Sequence, residues 1–171
     1  MRDQNLERCQ RASRFMGDFR DGDAFASRVG MENPGQNRCT LPHGELTERI
    51  LRCFFKVSWD LGYGFSEAVL RRAMAIALEE AGMHVVQEMP MQVHYRGRVI
   101  GEFYADLVVD NLILVEIKAS AVLDGYAQAQ LLNYLKAAGG GIGLLLNFGR
   151  RPEFKRMVMG DPVMSLPNLP K

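Results

Sequence analysis

Cysteine is scarce in this chain: Cys9, Cys39 and Cys53 are an odd number at wide spacings. Such a set builds neither a disulfide framework nor a zinc pattern, and it suits a reducing cytoplasm. No apolar run is long enough to cross a membrane before charges interrupt it. The opening stretch MRDQNLERCQRASRF lacks the apolar core of a secretory signal. Neither sign of charge dominates, since 21 basic residues face 20 acidic ones for a formal net charge of +1. Bulk charge therefore argues against a protein that coats nucleic acid by electrostatics alone, and any phosphate site must be a local patch. His43, His84 and His94 have no metal-ligand spacing. The glycines at 139–141 and 143 form no phosphate loop, because they end a helix and enter a strand, the reverse of the order a phosphate cradle needs.

What is present is an ordinary globular composition: 171 residues, 47% of them hydrophobic, enough for one domain with a tail. Residues 1–43 mix Arg, Asp, Asn, Gln and Gly with isolated Phe15, Phe19 and Phe25, and read as a mobile arm. Residues 44–160 carry the pattern of a packed domain. Residues 161–171, with Pro162, Pro167 and Pro170, read as an irregular tail. Within the domain, Leu46, Ile50, Phe54, Val57 and Leu61 recur at helical steps. Ser66 to Ala81 predicts a second helix, with Val69, Ala73, Ile76 and Ala77 on its apolar face and Arg71, Arg72, Glu79 and Glu80 on the other. Strands follow at His84–Tyr95, Val99–Val109 and Ile113–Ala119. A helix at Leu123–Ala138 and a doubly buried strand at Ile142–Phe148 complete the order. The helical crossover before the last strand implies that it pairs in parallel with an earlier one.

Three charges sit where this pattern wants none: Asp106, Glu116 and Lys118, all in strands that should be buried. Glu116 and Lys118 are two apart and so share a face. Whether Asp106 joins them depends on the turn near Asp110-Asn111. A two-residue loop puts Asp106 beside Val115, on the wrong face. A three-residue loop, Asp110–Leu112, pairs Val109 with Ile113 and sets Asp106 opposite Glu116. Two carboxylates that close repel unless a cation lies between them, and oxygen ligands suit Mg²⁺ or Mn²⁺. Glu67, at the start of the second helix, adds a candidate; alone it reads as a first-turn acid favoured by the dipole. Gln130 and Tyr134 lie one turn apart on the last helix, with Tyr126 on the same stripe; alone they read as its solvent face.

The blocks GFSEAVL (Gly64–Leu70), EMPMQVHYRGRVIGEFYADLVVDN, LVEIKAS, AQLLNYL and GLLLNFG, taken in order, resemble the GxxExxY family of PD-(D/E)XK nuclease-like proteins. The resemblance runs from about Leu46 to Val158. It implies an α/β (α+β), restriction-endonuclease-like core: helix, three-stranded antiparallel meander, helix, strand, in a mixed sheet flanked by helices. It also implies a metal held by Asp106, Glu116 and the Ile117 carbonyl, with Lys118 as the catalytic lysine. Glu67 falls on the family's glutamate, and Gln130 and Tyr134 fall on the Gln-x-x-x-Tyr pattern of RecB-related branches. Two positions depart: Leu70 replaces the tyrosine of the family's name and Ala105 a proline before the aspartate. The implied activity is metal-dependent hydrolysis of phosphodiester bonds in DNA or RNA. Arg96 and Arg98, on the turn between the first two strands, could meet phosphates, but a solvated hairpin tip is the favoured reading of them. An inactive module of the same fold, binding nucleic acid, a protein or a second copy, stays open as the alternative.

Overall fold

The computed structural model describes residues 42–160. The expectations for the tail at 161–171, and for all but the last two residues of the 1–43 arm, lie outside the described residues. Helix α1 (Gly44–Leu61) follows the stripe legible in the sequence, with Leu46, Ile50, Phe54 and Val57 buried. Only Leu61, at the helix end, is exposed. Helix α2 (Glu67–Glu80) is rotated by one residue from the expected face. It buries Leu70, Met74, Ala75 and Leu78, whereas Val69 and Ile76 are exposed. The ladder Leu70–Met74–Leu78 carries longer side chains than the alanine-rich stripe beside it, so burying it removes more apolar surface from water. The rotation also turns Arg71 toward the sheet.

Five strands form one sheet in the order β1-β2-β3-β4-β5. Strands β1 (Val85–Tyr95) and β2 (Arg98–Val109) make a long hairpin. Its two-residue turn, Arg96-Gly97, has both φ values positive, the twist that tight hairpins favour. Pro90 is accommodated because β1 is an edge strand. Strand β3 (Ile113–Lys118) pairs antiparallel with β2, with Val109 opposite Ile113, so the loop is the three-residue version. Helix α3 (Gly125–Ala137) crosses over, and β4 (Gly141–Asn147) returns parallel to β3. A last strand, β5 (Glu153–Met159), pairs antiparallel with β4. The sequence pattern did not announce it, because Glu153, Lys155 and Arg156 give it the charge typical of an edge.

Helices α1 and α2 cover one face of the sheet and α3 the other, each with its own apolar cluster. The result is the expected mixed sheet flanked by helices, α+β, with one strand added. The strand faces exchange part-way along the hairpin. Leu107 and Val109 pack under α1 and α2, yet Ala105 packs with Val108 under α3. On β1, Val86 and Met89 also share the α3 side, although strict alternation would separate them. The slip centres on Glu88 and Asp106, and Glu88 has φ 49°, a region that costs a non-glycine residue about 1–2 kcal/mol.

The close approach at Gly149 has a measurable consequence. A β-carbon there would lie 2.4 Å from the Ser120 carbonyl oxygen, which Asn147 Nδ2 already holds at 3.0 Å. Gly149→Ala should lower stability by about 1–3 kcal/mol. Gly101, mid-strand with nothing within 4 Å of such a carbon, should instead gain roughly 0.5 kcal/mol on Gly101→Ala. Urea unfolding midpoints of the two variants distinguish these cases, and equal effects would contradict the packing described.

Candidate functional site

The site forms where β2 and β3 part. Backbone pairing ends at Leu107 opposite Val115, and the next step of the register sets Asp106 across from Glu116. There the Asp106 side chain takes over from the ladder, with Oδ2 accepting the Ile117 amide at 2.8 Å. Its other oxygen, Oδ1, accepts from Arg71 Nη1 at 3.3 Å. Arg71 also reaches Glu88, Nη2 to Oε1 at 2.8 Å. Because Asp106 sits on the strand slip, one carboxylate meets both the β3 backbone and helix α2.

Glu116 is 3% exposed. Its Oε1 accepts from Lys118 Nζ at 2.7 Å, while Oε2 is buried with no hydrogen-bond partner. A buried carboxylate oxygen left bare is expensive. Burial pushes the Glu116 carboxyl up to about 7, and the neighbouring Asp106 charge adds to the effect against the pull of Lys118. For Lys118, burial works against the charge, but Glu116, with Glu67 and Asp106 behind it, outweighs burial and holds the ammonium above the usual lysine range. Lys118 therefore stays charged at neutral pH.

The remaining candidates gather around this core to different degrees. Glu67 Oε1 accepts the Ala119 amide at 3.3 Å, which ties the start of α2 to the end of β3. Gln130 Nε2 donates to the Tyr134 hydroxyl. The Tyr134 ring stacks on Phe103 at 4.0 Å between centroids. Burial raises the Tyr134 phenol above its usual range, and the Glu116 and Asp106 charges add to that against the Gln130 bond. Tyr134 thus belongs to the site's electrostatic neighbourhood, whereas Tyr126 is open to solvent. Arg96 and Arg98 are not brought in. Eight residues of extended strand separate Arg98 from Asp106, roughly 26 Å, and the Arg96 guanidinium lies over Tyr95 at the hairpin tip.

Three residues were not read as part of the site. Arg71 falls on the charged face of α2 in the sequence pattern, yet it lies one turn beyond Glu67 and so shares its side of the helix. Glu88 carried no signal before the pairing of β1 was known. Asn147, fully buried, accepts from the Ser120 amide at 3.0 Å and latches the loop after β3. A polar residue closing the apolar run of β4 was the available hint.

Among the described residues, no group of three or more His, Cys, Asp or Glu side chains is gathered as a metal cage. The donors that are present fit a hydrated divalent cation better than a closed protein cage. They offer two carboxylates close enough to feel each other's charge, and one of their oxygens is buried and unpartnered. The family profile described as the PD-(D/E)XK nuclease superfamily matches residues 44–157, more than half of the 171 residues. The chain belongs to the PD-(D/E)XK nuclease superfamily. No curated protein and no solved structure matches it. In this superfamily member no helix among the described residues is long and apolar enough to cross a membrane.

The Glu116 shift makes stability depend on pH. The carboxyl titrates near 7 in the fold and near 4.5 in an unfolded chain. Between those values the native state holds the extra proton, so stability falls as pH rises from about 4.5 to 7 and levels off above. Without divalent cations, Glu116→Gln should flatten this slope and stabilise the protein at pH 8 by up to about 3 kcal/mol. Chemical denaturation at pH 5 and pH 8 checks this; a parent protein equally stable at both would refute it.

Proposed function

We propose that this chain is a metal-dependent phosphodiesterase acting on nucleic acid, a GxxExxY-type member of its superfamily. The observation that carries the reading is the neighbouring pair Asp106 and Glu116, with a bare buried oxygen on Glu116 and Lys118 bonded to the same carboxylate. Asp106, Glu116 and the Ile117 carbonyl would hold Mg²⁺ or Mn²⁺. Such an ion, when bound, polarises the phosphoryl oxygen and acidifies water. The chain's own groups account for the rest. The Lys118 ammonium orients the attacking water and offsets charge building on the phosphate. Glu67, at the edge of the same site, receives a proton or bonds a water. Tyr134, protonated at neutral pH and braced by Phe103 and Gln130, offers a hydroxyl to the phosphate backbone.

One observation favours a second reading, a binding module of the same fold without turnover: both Asp106 oxygens already accept hydrogen bonds. A divalent metal separates the two readings. At about 100 times its dissociation constant a ligand adds roughly 2.7 kcal/mol of stability, so Mg²⁺ or Mn²⁺ should raise the melting temperature. Glu116→Gln should abolish that rise together with any cleavage of DNA or RNA. Lys118→Ala should cut cleavage at least 100-fold and keep the thermal shift. Intact single-stranded, double-stranded, branched and RNA substrates with both metals would leave the binding module as the function.

A further inference from the structure

Residues 59–69 concentrate exposed apolar side chains beside the site. Trp59 is 67% exposed, Tyr63 64% and Phe65 45%, with Leu61 and Val69 also open to solvent. Apolar surface in one place marks a contact site more often than it marks accident. The packing of α1 on α2 fixes where this surface lies. Arg49 donates to the Ala81 carbonyl and Cys53 to that of Ala77, so the helices run antiparallel and Leu61 comes beside Val69. Glu67, between Phe65 and Val69, bonds the Ala119 amide at the end of β3. The aromatic patch therefore adjoins the edge of the sheet where Glu116 and Lys118 lie.

A second feature occupies the same edge. Strand β4 runs parallel to β3, with Asn147 opposite Lys118, and the turn after it presents Arg150 and Arg151, both exposed. Gly62 and Gly64, both at positive φ, punctuate the aromatics and let Tyr63 stand clear of either helix. Rings interleaved with glycine, next to an arginine pair, are the chemistry of a surface that stacks unpaired bases and tracks their phosphates. A duplex hides its base faces within the stack and offers such rings nothing.

We propose that Trp59, Tyr63 and Phe65 form a stacking platform that feeds single-stranded nucleic acid to the acid–acid–lysine site. This rests on the nuclease reading for what happens next, but its own test needs no turnover. Trp59 is the only tryptophan in the chain, so its emission reports on the platform alone. In EDTA, thymidine or uridine oligonucleotides of about twelve nucleotides should quench Trp59 saturably, the matching duplex should not, and the two sugars reveal a DNA or RNA preference. Tyr63→Leu and Phe65→Leu keep the apolar bulk and remove the ring; each should weaken the single strand roughly 5- to 100-fold. An unchanged Trp59 signal while a labelled strand binds, equal quenching by duplex, or full affinity in the leucine variants would overturn the platform. Self-association lost in those variants would do so too, by reassigning the surface to a second copy. Quenching without cleavage in metal would sink the nuclease reading and leave the platform standing; cleavage without quenching would do the reverse.

Discussion

Two neighbouring carboxylates at the point where β2 and β3 separate are the electrostatic constraint on which this site depends. Left alone, Asp106 and Glu116 would repel, and burial would raise the penalty further. The surrounding structure is arranged to contain that repulsion. The Ile117 amide and Arg71 neutralise Asp106 from the backbone and from helix α2. Lys118 and a carboxyl that titrates near 7 do the same for Glu116. The compensation of Glu116 is partial, because its Oε2 stays bare. A site built this way holds unrelieved negative charge, which is the electrostatic condition a cation would relax.

Much of this was legible before any coordinates. The stripe of α1 and the apolar run of β4 depend on short-range periodicity, and both appear in the fold. Asp106, Glu116 and Lys118 stood out because charge in a buried strand needs a reason. What escaped has a common origin in long-range geometry. The face of α2 depended on choosing between two overlapping stripes, and the wrong choice hid Arg71. Strand β5 borrows its hydrogen bonds from β4 and so needs little apolar pattern of its own. The choice between two loop lengths was open in the sequence, and only the pairing of Val109 with Ile113 selects the one that sets the acids together.

Superfamily membership and the placement of side chains contribute different things. The first says which scaffold is present, and many chemistries or none can be grafted onto a scaffold. The second says where Asp106, Glu116, Lys118 and the loop latch at Asn147 lie relative to one another in this chain. Near-neutral overall charge is compatible with local basic groups such as the exposed pair Arg150 and Arg151.

The exchange of faces at Glu88 and Asp106 turns the outer hairpin over relative to the sheet it grows from. Both strands slip together, so their partners remain matched while inside and outside trade places. Parity counted from Val109 therefore inverts from Ala105 as far as Gly101, beyond which the register shifts again. A bulge between Val93 and His94 adjusts the tip, but the orientation of the rest of the hairpin is set at the slip, where Asp106 sits. Changes that straighten the strand there would flip the outer ribbon and withdraw the carboxylate in one movement, which ties the shape of the arm to the integrity of the site.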